Sequence, residues 1–372
     1  MRLTFHSLNT LKETILKDYT RLKFSIVIVL LLLQISAFAQ IGGKGVYTFL
    51  GMPNASRVAA VGGNYLPVND GDINLAVSNP SLINAEMHNK IGLAFVDFYS
   101  DISAGFASYS RTYDKIGSFT GSIKFIDYGE FDRADVSGER MGKFTAGEYA
   151  FILGWGRSLT PNIKLGANLK GIWANYDRYS SSGIAVDVAG SWVSDDNRLV
   201  ASLVFANIGR QISSFTGNEI EPINFDIKFG LMRQLEHVPF KIFILTEHLQ
   251  TWELRYDDPE DPEKQIDPIT GESDKDSNLE VFSDNLLRHF TFGGEFSITD
   301  NFHIRGGYNY QRRQELKVPS RMATVGFSWG FGFRISKFHF NYSRSAYHLN
   351  GSPNYISLTT NLDDFFANDS DE

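Results

Sequence analysis

From Ile91 onward, apolar and polar residues alternate with a period of two almost without interruption. Phe119, Gly121, Ile123 and Phe125 interleave with Thr120, Ser122 and Lys124, and Tyr149, Phe151, Leu153 and Trp155 interleave with Glu148, Ala150, Ile152 and Gly154. Successive side chains of a strand point to opposite faces, so each run predicts a strand with one greasy side. The pattern recurs at Ile163 to Trp173, Ile184 to Trp192, Phe327 to Phe333 and Phe338 to Tyr342. It yields about fourteen segments, each near the ~10 residues that a tilted membrane strand needs.

The connections carry a second signal, because they alternate between short and long. The short set is 114–117, 158–162, 194–198, 234–238, 299–301 and 334–336. The long set is 127–146, 177–183, 208–223, 253–287, 311–322 and 346–353, with a short first connection around Ser100 as the exception. Tight turns at one end and extended loops at the other are the asymmetry of an outer-membrane barrel. The fold expected is therefore all-β, a transmembrane antiparallel β-barrel of about 14 strands spanning 90–362. Soluble sandwiches and solenoids also alternate, but they would have to bury an unusual number of outward aromatics.

Charges of both signs fall on the polar parity: Lys124, Glu148, Asp187, Asp226, Lys228, Lys241, Glu247, Glu295 and Arg305. In a barrel these face the lumen. Mixed signs point to a salt-bridged, plugged interior, whereas selective pores usually show rings of one sign. Residues 40–89 break the strand pattern, being rich in Gly, Ala and Asn, with an Asn-Pro turn at Asn79 and Pro80. Their apolar content (Val58, Val61, Leu66, Leu75, Leu82) favours a packed plug or cap over a disordered leader.

The one long apolar run, Phe24 to Leu33, follows Arg21 and Lys23 and precedes Ala37-Phe38-Ala39. It reads as a signal peptide over 1–39, cleaved before Gln40. Its helix would be roughly 15 to 18 Å long, short of a ~30 Å bilayer core. Removing it takes away five bases and two acids, so the formal charge moves from −8 to −11. An acidic chain without a basic stripe excludes nucleic acid as a partner.

Composition narrows the chemistry further. The 372 residues include no cysteine, which excludes disulfides, thiolate metal sites and a cysteine nucleophile. The eight histidines lack metal-ligand spacing, and no G-x-S-x-G elbow accompanies His289 or His339, the bases that a lipase-like site would use. No catalytic residue, metal or cofactor is assigned. Within the long loop 253–287, nine acids (Asp257, Asp258, Glu260, Asp261, Glu263, Asp267, Glu272, Asp274, Asp276) face two bases, Lys264 and Lys275. Repeated Asp-Pro steps keep this stretch from running as strand or helix. It is either a docking site for a basic partner or a solvated loop repelled by anionic lipopolysaccharide. The tail 363–372 carries Phe365-Phe366 and ends in Asp369, Asp371 and Glu372, so it lacks the aromatic last residue of a barrel assembly signal.

Several motifs carry a family resemblance. Ala55-Ser56-Arg57-Val58-Ala59-Ala60-Val61-Gly62-Gly63, Asp70-Gly71-Asp72 and Ser78-Asn79-Pro80-Ser81-Leu82 resemble the N-terminal signature of FadL-like and PorV-like barrels. Gly142-Lys143-Phe144, Gly166-Ala167-Asn168-Leu169-Lys170, Asn207-Ile208-Gly209 and Gly307-Tyr308-Asn309-Tyr310 look like the PorQ family of the Bacteroidetes type IX secretion system. The resemblance spans nearly the whole mature chain. It implies a FadL-like barrel in the outer membrane of a Gram-negative bacterium, a scaffold of the surface attachment complex. There it would anchor a PorZ-like surface protein alongside PorU and PorV, with cargo linked to lipopolysaccharide by PorU. The alternative is a FadL-like channel for hydrophobic compounds with the Asn79-Pro80 segment as hatch.

Overall fold

The alternating segments close on themselves. A computed structural model describes residues 45–217, 219–255, 277–317, 324–347 and 351–366. Its strands are β1 (Lys90–Asp97), β2 (Ser103–Tyr113), β3 (Gly117–Ala134), β4 (Arg140–Ser158), β5 (Ile163–Tyr176), β6 (Tyr179–Val193) and β7 (Leu199–Ser213), then β8 (Asp226–Gln234), β9 (Phe240–Thr246), β10 (Phe290–Thr299), β11 (Phe302–Asn309), β12 (Phe327–Ile335), β13 (Phe338–Ser345) and β14 (Asn354–Asn361). Each pairs antiparallel with the next, and β14 pairs with β1 from Lys90 opposite Asn361 to Asp97 opposite Asn354. Closure leaves no open sheet edge, the condition for a sheet to cross lipid. Among the described residues no helix is long and apolar enough to cross a membrane.

The greasy parity points outward all the way round. Phe95, Ile123, Phe151, Leu169, Trp173, Trp192, Leu231, Phe292, Trp329 and Ile356 are all exposed, while their neighbours Lys124, Ile152, Lys170 and Ser191 are buried. So continuous an apolar surface is unsustainable in water and fits a lipid-facing band.

The short turns fall where the alternation puts them, but three of the long connections are shorter than the sequence suggests, 208–223 because β7 runs on to Ser213. In place of a loop over 127–146, β3 and β4 continue as a hairpin whose tip is 135–139. Phe131 stacks on Phe144 at 5.3 Å and Glu130 pairs with Lys143 at 2.9 Å, so cross-strand pairs carry the ladder onward. Similarly, 177–183 is no loop: Tyr176 faces Tyr179 across a tight turn with Asp177 in the left-handed region at φ 55°. The serines that read as loop are strand residues, with Ser181 Oγ donating to the Ser213 carbonyl and Ser182 Oγ bonded to Ser213 Oγ. Loop 253–287 is also not wholly irregular, since its end forms a helix, Asn278–Arg288.

Residues 45–89, before β1, occupy the barrel interior. Val46 pairs in parallel with Ile223 at the long-loop end. The chain then forms helix α1 (Ser56–Ala60), reaches Asn69 beside Asn197 in a short turn, and returns through one-turn 3-10 helices at Ile73–Leu75, Pro80–Leu82 and Ala85–Met87. Val58, Val61, Tyr65, Leu66, Leu75 and Leu82 pack against Ala189, Val200, Val204, Met232, Phe243 and Leu245 of the wall. The core of this protein is therefore the boundary between plug and barrel.

Candidate functional site: the plugged lumen

Small residues on the inward parity make room for the plug. Helix α1 lies against β11 to β14, where Gly307, Ser328, Gly330, Ser343 and Ser345 face inward. A Cβ at Gly307 would stand 2.2 Å from the Val61 carbonyl carbon. Ser345 Oγ donates to the Ala59 carbonyl at 3.1 Å, and the Ser56 amide donates to Ser357 Oγ at 2.8 Å. The second contact satisfies an amide that the start of the short helix leaves orphaned, and the first adds a donor to a carbonyl that already accepts from the Gly62 amide.

On the opposite wall the Asn79-Pro80 turn sits on β4, β5 and β6. Asn79 caps the 3-10 helix by accepting from the Ser81 amide at 3.1 Å, and Pro80 starts it with φ already set. Asn79 Nδ2 donates to the Leu66 carbonyl at 2.8 Å and to Ser191 Oγ at 3.2 Å, tying the turn both to the plug and to β6. Beneath it the wall has Gly156 and Gly166, where a Cβ would stand 2.4 Å from the Ile83 carbonyl oxygen and 2.2 Å from that of Pro80. Asn79 and Pro80 thus hold the plug in place and line neither mouth.

Charge locks the two halves. Arg57 on α1 donates to Asp70 at 2.6 Å, to Asp72 at 3.0 Å and to Glu295 of β10 at 3.0 Å. Glu295 also accepts from Arg305 of β11 at 2.6 Å and from Lys241 of β9 at 3.0 Å. Three cations meet three carboxylates, so the cluster closes to neutrality. The Arg57 and Glu295 side chains are 7% and 2% exposed, and the Tyr65 ring lies 5.2 Å from the guanidinium. An arginine fork is the side chain that serves several carboxylates at once. Burial opposes the charge on Asp70, but Arg57 and Lys241 overcome it and hold its carboxyl at about 2.

That depression has a pH signature. A folded value below the ordinary 3.8 contributes stability that is whole above 3.8 and is lost as the pH falls through about 2. Carbon-13 titration of the Asp70 carboxyl should therefore give a midpoint near 2. A midpoint at the ordinary value would mean that the Arg57 pair does not form.

A second buried cluster faces the long-loop half. Lys170 bonds Asp187 at 2.8 Å and Asn207 at 2.7 Å, and Asn168 donates to Asp187 and to the Val77 carbonyl. A bulge in β7 puts Asn207 in the left-handed region, so its amide leaves the ladder and donates to Asp187 at 2.8 Å. Lys124 donates to the Leu50 and Met52 carbonyls. The lumen charges read from the sequence thus pair with one another and with the plug, except Glu148, which accepts from the Tyr128 and Tyr176 hydroxyls at 3.3 and 2.6 Å.

Among the cavities that the described residues line, one lies at each mouth. The short-turn cavity, about 480 Å³, is lined by Arg57, Lys90, Arg305, Arg334 and His339 among others. The long-loop cavity, about 320 Å³, is lined by Asp226, Lys228, Glu247, His248 and Arg312. Both are charged. His248 lies beyond the end of β9; burial pulls its pKa down, but the bond to Asp226 at 3.3 Å and that carboxylate's charge win and raise it.

The other residues singled out from the sequence fall elsewhere. His289 is buried, with Nδ1 2.8 Å from the Glu247 carbonyl and no hydrogen-bond partner at Nε2 among the described residues. Among the described residues no group of three or more His, Cys, Asp or Glu has a metal-site arrangement. Asp257, Asp258, Glu260, Asp261, Glu263, Asp267, Glu272, Asp274 and Asp276 lie outside the described residues, as do Asp369, Asp371 and Glu372. Phe365 packs edge-on to Phe338 at 5.7 Å, beneath Lys337. Sequence reasoning assigned no role to Arg57 or to the wall glycines. An arginine inside the apolar run Ala55 to Val61 was the available signal.

No protein-family model and no curated protein matches the sequence. Among solved structures the chain is similar to a TodX monoaromatic hydrocarbon channel carrying the deltaS2S3 mutation, at 11% identity over 83% of this chain and 99% of that one, with a TM-score of 0.51. It is also similar to the toluene transporter TodX of Pseudomonas putida (10% identity, 83% and 96% covered, TM-score 0.47) and to a FadL homologue of Pseudomonas aeruginosa (11%, 86% and 100%, 0.48). At such identities likeness speaks for the fold alone, and the fold is that of the FadL-like fourteen-stranded barrels.

Proposed function

We propose that this protein is a non-enzymatic outer-membrane barrel that rests closed and works as a scaffold through its long-loop face. The observation that carries this reading is the neutral Arg57 cluster, which fastens the plug across the lumen to three strands. A pore lined by paired charges of both signs offers little to a permeating ion, and both mouth cavities carry charged side chains that an apolar solute would have to pass. The partners, a PorZ-like surface protein with PorU and PorV in type IX secretion, come from the sequence resemblance alone.

A second reading, a FadL-like channel for hydrophobic compounds, draws on the fold shared with a monoaromatic hydrocarbon channel, and it is the reading the comparisons lie nearer to. It requires the plug to move, because the described plug residues pack on the wall between the two mouth cavities. Affinity purification of the tagged protein from host outer membranes in mild detergent separates the two. The scaffold reading expects a large surface protein with PorU and PorV. Recovery of the barrel alone with bound fatty acid or aromatic hydrocarbon would overturn it in favour of the channel.

A further inference from the structure

The helix before β10, α2 (Asn278–Arg288), is amphipathic in the inverted sense. Its polar face is turned into the protein: Asn285 is buried and donates to Glu253 at 3.0 Å, while Asp284 accepts from Arg288 at 2.8 Å and from the Tyr310 hydroxyl at 3.0 Å. Tyr310 opens helix α3 (Tyr310–Leu316), whose Arg312 and Glu315 line the long-loop cavity. The apolar face, Leu279, Phe282 and Leu286 at helical spacing, therefore points away from the lumen. Leu279 is 74% exposed and Phe282 is 52% exposed. Ser283 falls within this stripe, but its hydroxyl is used up on the Leu279 carbonyl. Trp252, itself half exposed, packs on Phe282 at 5.2 Å and extends the patch.

The height of the helix says what covers this face. Strand β10 has ten residues. At ~3.3 Å per residue and a tilt near 40° they rise about 25 Å, the height of a barrel's whole apolar band. Helix α2 joins β10 through His289 alone, so it leaves the barrel at the upper border of that band, whereas the β3–β4 hairpin, with strands of 18 and 19 residues, rises well past it. The outward residues next in line, Phe290 and Phe292, stack at 5.9 Å and continue the apolar surface from helix to wall. Tryptophan at that level and a charged inner face are the features of an element lying in the membrane interface.

We infer that α2 is an interfacial anchor: it lies along the outer edge of the bilayer at the long-loop end, with Leu279, Phe282, Leu286 and Trp252 among the upper acyl segments of the lipid. The inference rests on reading the outward belt as lipid-facing. The helix would then tether helix α3, which lines the long-loop cavity, to the lipid surface through Asp284 and Tyr310.

The absence of native cysteine makes the test direct. Leu279→Cys and Phe282→Cys, each labelled with an NBD fluorophore, are reconstituted into phospholipid vesicles containing acyl-chain doxyl lipid. Leu153→Cys on the belt and Ser137→Cys at the hairpin tip serve as references. The expected result is blue-shifted emission at 279 and 282, quenched by doxyl lipid as at 153 and insensitive to the iodide that quenches 137. Iodide quenching at 279 and 282 with doxyl quenching at 153 would overturn the anchor and leave the stripe as a water-facing docking site. Loss of doxyl quenching at 153 would overturn the lipid-facing belt, and the anchor with it.

Discussion

Replacing Arg57 with methionine unfastens the plug. The substitution keeps volume and helix propensity but leaves Asp70, Asp72 and Glu295 facing one another with only Lys241 and Arg305 to neutralise them. Removing one partner of a buried ion pair typically costs about 3–5 kcal/mol, chiefly because an uncompensated charge stays behind. That cost falls on plug docking, since the barrel's own ladder is complete without α1. Amide hydrogen exchange should therefore accelerate over residues 54–83 by more than two orders of magnitude (two orders are about 2.7 kcal/mol, just under the range just given), while the exchange of β3 to β7 is unchanged. Lysine at the same position restores the charge without the fork that reaches three carboxylates, and it should recover only part of the protection. Equal exchange in the variant and the native protein would show that the cluster does not hold the plug.

Valine at Gly166 attacks the same boundary from the wall. The Cβ alone would stand 2.2 Å from the Pro80 carbonyl oxygen and 2.6 Å from the Ser81 amide nitrogen. Both are backbone atoms of a capped turn, so the collision cannot be relieved by a side-chain rotation. Overpacking that neighbours can absorb costs roughly 1–3 kcal/mol, and here the turn has to leave its seat. We expect Gly166→Val to assemble as a heat-modifiable barrel but to conduct ions in a planar bilayer. Gly171→Val is the matched control, because it lies on the same strand with nothing within 4 Å of its Cβ and should behave as the native protein does. A silent Gly166→Val barrel would mean that the Asn79-Pro80 turn is not what seals that side.

The barrel was legible in the sequence because its signal is periodic and its physics is simple. A strand that meets lipid on one face and a packed lumen on the other must alternate, as Tyr149 to Trp155 and Ile163 to Trp173 do. The lumen charges were legible for the same reason, since Lys124, Asp187 and Glu295 fall on the inward parity. Outside the membrane the signal weakens. Polar residues such as Ser180 to Ser182 read as loop but pair as strand, because backbone hydrogen bonds and serine hydroxyls carry the ladder where no lipid demands an apolar side. The plug lock was hidden more deeply. Arg57 finds Glu295 across 238 residues of sequence, and the glycines at 156, 166 and 307 matter for what approaches them, which no local pattern records.

Electrical recording is the most direct test of a lumen closed at rest. The native protein, purified and reconstituted into a planar bilayer at neutral pH, should show baseline current with no stable open level, and openings should appear once Arg57 is replaced. Steady porin-like conductance from the native protein would contradict the plugged lumen, and with it the scaffold drawn from it.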